Sequence, residues 1–168
     1  MPKLKCQFKE MKRFERNLLE LSRDVSKILK PAVYDGAGVA ATALRETVGG
    51  LACVSDVDSI HAWRASTPTI ICRSQKDGLL EALGVAKMKA RGFSFNTRTG
   101  FDGYNSIVTR RWPNGQPNVM IAASCEHGSS AMLAQPFIRP AYKLCAAVVR
   151  KIMEETTKKK IEEILDQS

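Results

Sequence analysis

There is no Cys-x-x-Cys pair anywhere in the chain, and its five cysteines, Cys6, Cys53, Cys72, Cys125 and Cys145, are odd in number. Both facts argue against a disulfide framework and against a zinc knuckle. They predict reduced thiols that pack as small apolar groups. Histidine is scarce, with only His61 and His127. Cys125-Glu126-His127 sets three potential ligands side by side, but neighbours on a helix point about 100° apart and do not share one ion. No Cys–His or Ser–His pair with a third orienting group stands at a recognisable spacing. The carboxylates fall mostly on amphipathic stretches, where solvated faces account for them. These absences predict no enzyme, no metal and no cofactor. No apolar stretch approaches the roughly 20 residues of a membrane span; Val39–Leu44 and Val119–Ala123 are among the most apolar. No membrane partner is therefore expected. The first residues, Met-Pro-Lys-Leu-Lys-Cys, carry no apolar core of a secretory signal, which predicts a cytoplasmic protein.

What the chain does hold is positive charge. Its 168 residues include 26 Lys+Arg against 17 Asp+Glu, a net of +9. Residues 1–30 carry nine basic and four acidic residues, and residues 86–116 carry six basic residues and only Asp102. Such an excess fits solvated basic faces, a nucleic-acid footprint or a surface that meets an acidic partner. Arg98, Arg110 and Arg111 are the candidate basic surface.

With 44% hydrophobic residues the chain can bury a core, and its length predicts one domain over 1–168. Residues 3–8 alternate as a short edge strand or arm does. Met11, Phe14, Leu18, Leu21 and Val25 then recur at helical steps. Ser22 or Asp24 is placed to cap a second helix that runs from Ile28 to Val48 and stops at Gly49-Gly50. Pro31 falls in its first turns or at a kink. These N-terminal helices span 9–50. Asp35-Gly-Ala-Gly-Val39 is no P-loop, because no Lys-Ser/Thr follows, and its small residues predict close packing on a neighbouring helix. Residues 51–91 read as short helices and loops, with one helix over Asp77–Gly84 closed by Gly84.

The sheet and motif region is placed at 92–140. Phe93, Phe95, Thr97, Thr99 and Phe101 alternate as a half-buried strand does, and Ile107–Trp112 reads as the strand returning after a turn at Asp102–Asn105. Pro113–Pro117 is a second turn. Val119–Cys125 reads as a buried helix ended by Gly128. Pro136 and Pro140 bracket an extended loop, and a long helix fills 141–166, with an apolar-free middle at Glu154–Lys160 that is solvated or faces a polar partner. The fold class is α+β: a small antiparallel β-sheet packed with N-terminal helices and a long C-terminal helix.

One segment carries a resemblance. Cys125-Glu-His-Gly-Ser-Ser-Ala-Met-Leu-Ala-Gln-Pro-Phe-Ile-Arg-Pro-Ala141 is similar to the signature of the tail-completion (head-to-tail joining, minor tail component) proteins of long-tailed bacteriophages. Glu126, Gly128, Ser129, Ser130, Pro136, Phe137, Arg139, Pro140 and Ala141 match a helix ending in Glu-x-Gly-Thr/Ser-Ser followed by a Pro-Phe-hydrophobic-Arg-Pro-Ala run. Gly100-Phe-Asp-Gly-Tyr104 and the Pro113–Pro117 turn also look like one branch of that family. His127 stands where an aromatic or small residue is common. The resemblance implies a virion protein of the phage neck, assembled in the host bacterial cytoplasm. It implies a sixfold homo-oligomeric ring between the head connector or stopper and the tail terminator or tail tube, with DNA passing through the channel. The motif's residues suit a structural loop: Gly128 takes a left-handed cap, the prolines stiffen the chain, Phe137 anchors it, and Arg139 suits a forked bond to a carboxylate. That loop acts as an internal staple, as a subunit contact, or as both. The alternative is a small basic nucleic-acid-binding module, with Phe93, Phe95 and Phe101 beside Arg98 as its stacking surface.

Overall fold

A computed structural model of the chain describes residues 9–92 and 94–166. The elements are α1 (Lys9–Gly49), α2 (Asp56–Arg64), α3 (Arg73–Ala82), β1 (Leu83–Val85), β2 (Lys89–Arg91), β3 (Ser94–Asn96), β4 (Thr99–Phe101), α4 (Asn118–His127) and α5 (Ile138–Asp166). The architecture is mixed α+β with a long C-terminal helix, as the order of patterns predicts. The proposed edge strand at 3–8 lies outside the described residues.

The two expected N-terminal helices are one helix of 41 residues, with Pro31 inside it. Ser22 does not cap a new start. Its hydroxyl donates back to the Leu19 carbonyl, and Asp24 pairs with Lys27 at 2.8 Å. Pro31 removes one ladder bond, but Ile28 and Ala32 beside it are buried and hold the helix on course. The largest packing interface in the molecule is α1 against α5. The two run antiparallel. Thr156 of α5 donates to Asp35 of α1 at 2.8 Å, while Val48 near the end of α1 shares a core with Phe137 just before α5. Asp35 of α1 is thus a polar neighbour of the apolar-free middle of α5. Gly36 is the point of closest approach: a Cβ there would stand 2.9 Å from Met153 Cγ and 3.2 Å from Val149 Cγ1. Gly38 faces open space. The small-residue reading therefore holds at one of the two glycines.

The hairpin expected from 93–101 and 107–112 does not form. β4 pairs antiparallel with β1, Leu83 opposite Phe101 and Gly84 opposite Gly100, and β3 pairs with β2, Ala90 opposite Phe95. Each partner precedes its strand instead of following it. Residues 102–117 are claimed by their own side chains. Asn105 Oδ1 accepts from Ile107 N at 3.1 Å and Gln116 N at 2.9 Å, and Thr109 and Trp112 exchange backbone bonds. Such local bonds compete with a ladder. Gly84, expected as a helix stop, lies in β1, and α3 ends at Ala82. The long helix opens at Ile138, so Pro140 sits in its first turn, where a missing N–H costs nothing. The core gathers Val48, Ile71, Leu79, Ile121, Ala122, Cys125 and Phe137 where the end of α1, α3, α4 and the start of α5 meet.

Candidate assembly interface

α4 forms because an apolar run follows Pro117, whose extended backbone precedes the first turn. It stops at Gly128, where φ is +78° and the N–H bonds back to the Ser124 carbonyl at 2.8 Å. Glu126, in its last turn, is 5% exposed although it carries a charge. Its Oε2 accepts from Phe137 N at 2.7 Å and Ile138 N at 2.8 Å. The carboxylate therefore caps the start of α5, where backbone donors have no partner within the helix and the helix dipole favours a negative charge. Burial pushes this carboxyl up. The N–H groups of Ile138, Phe137 and Arg139 outweigh it, with help from His127, and hold the carboxyl below its usual range.

The loop between the two helices is tied from within. Ser129 Oγ accepts from Met132 N at 3.1 Å and Ala131 N at 3.3 Å. Thr69 N donates to Ala131 O at 3.2 Å, and Leu133 N donates to Thr69 O at 2.8 Å. Gln135 N reaches the Cys125 carbonyl at 2.7 Å. Phe137 is fully buried and meets Phe101 edge-on, with centroids 5.8 Å apart. Glu126, Gly128, Ser129 and Phe137 thus act as an internal staple. Ser130, Pro136, Arg139 and Pro140 are exposed, and Arg139 forms no ion pair among the described residues. Cys125 is buried, its thiol pushed up to about 11 by burial and by Glu126. Cys72 and Cys145 are buried as well, while Cys53 is exposed.

The basic residues separate. Arg98 lies on the link between β3 and β4, where its carbonyl accepts from Ala86 N at 2.7 Å. Arg110 and Arg111 lie on the 102–117 loop, and Arg111 stands over the Trp112 ring at 5.7 Å. All three are exposed. Two of the phenylalanines proposed as a stacking surface are otherwise engaged. Phe101 packs on Phe137 and the core, Lys30 stands over Phe95 at 5.9 Å, and Phe93 lies outside the described residues.

α2 is one of the short helices expected over 51–91, but its exposed apolar face was not read there. Ser55 caps it, accepting from Asp58 N at 3.1 Å. Asp56 anchors it, accepting from Ser74 N at 3.0 Å and from the Ser74 hydroxyl, and these two bonds hold its carboxyl below its usual range. None of its residues is buried. Val57, Ile60 and Trp63, spaced in threes, are 62%, 51% and 74% exposed. That spacing was the available signal. A second bare apolar surface lies on α5. Tyr142, 70% exposed, opens a groove of about 670 Å³ lined by Ala40, Ala146, Val149 and Met153, with Arg150, Glu154 and Lys158 also along it. Leu144 and Val148 are exposed on the other flank of the same helix. A second cleft, of about 440 Å³, is polar: Asp77 and Glu81 of α3 face Asp102, Asn105 and Asn118.

No protein-family model, no curated protein and no solved structure matches the chain.

Proposed function

We propose that the chain is a structural assembly subunit, and specifically a component of the bacteriophage neck that joins or completes the tail as a sixfold ring around the DNA channel. The observation that carries the assembly reading is the pair of exposed apolar surfaces, one on α2 and one on α5. Monomeric proteins rarely leave such patches open. Two different patches suit a heterologous contact, in which one face of a subunit meets another face of the next and the rotation closes a ring. The phage assignment rests on the 125–141 motif. Its inner residues fix the start of α5, and its outer residues, Arg139 above all, remain available to a neighbour. The head connector or stopper and the tail terminator or tail tube are the proposed partners, with the virion neck as the location. Arg98, Arg110 and Arg111 would face DNA in the lumen or an acidic partner protein.

Native mass spectrometry across salt concentrations, with electron microscopy of large species, tests this. A closed ring supports it. A chain that stays monomeric at every concentration and binds short DNA with a steep salt slope would instead favour the nucleic-acid-binding module. Reversing the charge of Arg98, Arg110 and Arg111 together is expected to lower particle yield or infectivity, and wild-type values for both would count against the basic surface.

A further inference from the structure

We infer that α2 of one copy docks into the α1–α5 groove of the next, so that the short helix is the knob and the groove the socket of the subunit contact. This deepens the ring reading and rests on it.

Three observations lead there. First, α2 has no covering of its own. It spans nine residues, buries none of them and packs substantially on no other element. It is held by the Ser55 cap and the Asp56–Ser74 bonds at its first turn, beside the Val54–Cys72 bridge. Isolated helices this short are marginal in water, and none of the described residues covers Val57, Ile60 and Trp63 on one face. Second, the groove is apolar where the other cleft is not. Tyr142, Ala146, Val149 and Met153 line it, whereas the α3 cleft presents Asp77, Glu81 and Asp102. An apolar ridge loses nothing by entering the first and would strand carboxylates in the second. Third, the charges are complementary. Along the groove Arg150, Glu154 and Lys158 lie one turn apart and form no ion pair among the described residues. α2 brings Arg64 at its end, one turn beyond Ile60 and on the same side of the helix, exposed and in no ion pair among the described residues; Asp58 lies on the opposite side, where it accepts from the Ser55 hydroxyl at 2.6 Å. Arg64, entering with the apolar ridge, thus meets Glu154 midway along the socket. The knob is about 13 Å long and the stretch from Tyr142 to Lys158 about 24 Å, so the helix fits lengthwise.

Two full-length variants test the pairing. Ile60→Ser with Trp63→Ser blunts the knob. Tyr142→Glu with Arg150→Glu spoils the socket at two exposed positions. Each alone is expected to weaken self-association at least about thirtyfold in sedimentation velocity and native mass spectrometry. Mixed in equal amounts they still share one intact knob and one intact socket. The mixture is expected to give a mixed dimer that grows no further, and a misfolded variant would not pair. Wild-type assembly by either variant alone, or a mixture that stays monomeric although both variants keep the wild-type circular dichroism and thermal midpoint, overturns the docking while leaving the ring standing. A wild-type chain that is monomeric throughout overturns both. Knob-dependent association that yields open filaments, with no closed ring, keeps the docking and removes the ring.

Discussion

Glu126 joins two helices with one side chain, and its behaviour is open to measurement. The buried carboxylate is stabilised by backbone N–H groups in the folded state, so its folded pKa lies below the unfolded value of about 4.5. It therefore contributes stability above that value and loses it as pH falls through the folded pKa. Glu126→Gln is expected to lower stability by about 1–2 kcal/mol at pH 7 in urea unfolding. The gap to wild type should narrow below about pH 4.5; a gap that does not change with pH would remove the charge from the account. Gly115 is constrained differently. Its φ is +93°, and a Cβ there would lie 1.9 Å from the Asn105 carbonyl oxygen. Gly115→Ala is expected to cost more than about 1 kcal/mol, read as a fall in thermal midpoint.

A remote side chain also finishes α1, at the end of the helix pair that Glu126 caps. Lys76 of α3 donates to the Gly49 and Leu51 carbonyls, each at 2.8 Å, and so closes the C-terminal end of α1. Lys76→Met keeps the aliphatic stem and removes the donor. It is expected to cost about 1–2 kcal/mol in chemical denaturation, with the fraying seen as faster amide exchange over residues 46–51. Gly36→Val would press on Met153 and Val149, and the α1–α5 seam should open enough to lower the thermal midpoint by several degrees. Of these elements, α4 and α5 were legible from sequence, because Pro117, Gly128 and the apolar period mark their limits within the chain's own neighbourhood. The staple was legible as a motif, but its key bond was not: nothing in the spacing of Glu126 and Phe137 says that a carboxylate turns back upon the next helix. The strands from 94 to 101 were visible as a pattern. Their partners were not, since Asn105, Thr109 and Asp102 withdraw the following segment from pairing and leave Leu83–Val85 and Lys89–Arg91 to supply the ladders. Pro31 and Ser22 suggested a break in α1 that burial of Ile28 and Ala32 overrides. The apolar face of α2 had a readable period of three, but exposure is a property of the surroundings, and the sequence does not carry it.

For the molecule as a whole, the seam between α1 and α5 joins the beginning of the chain to its end. Contacts so far apart in sequence make folding slow relative to a bundle of neighbouring helices. On a ribosome the order is stricter still. α1 is made first and α5 last, and at typical elongation rates the interval is on the order of ten seconds. Through that interval the face of α1 that includes Ile28, Ala32 and Gly36 has no partner. The nascent chain should therefore be a client for holding chaperones until Asp166 clears the exit, and truncation just before Ile138 should turn a soluble product into an aggregating one.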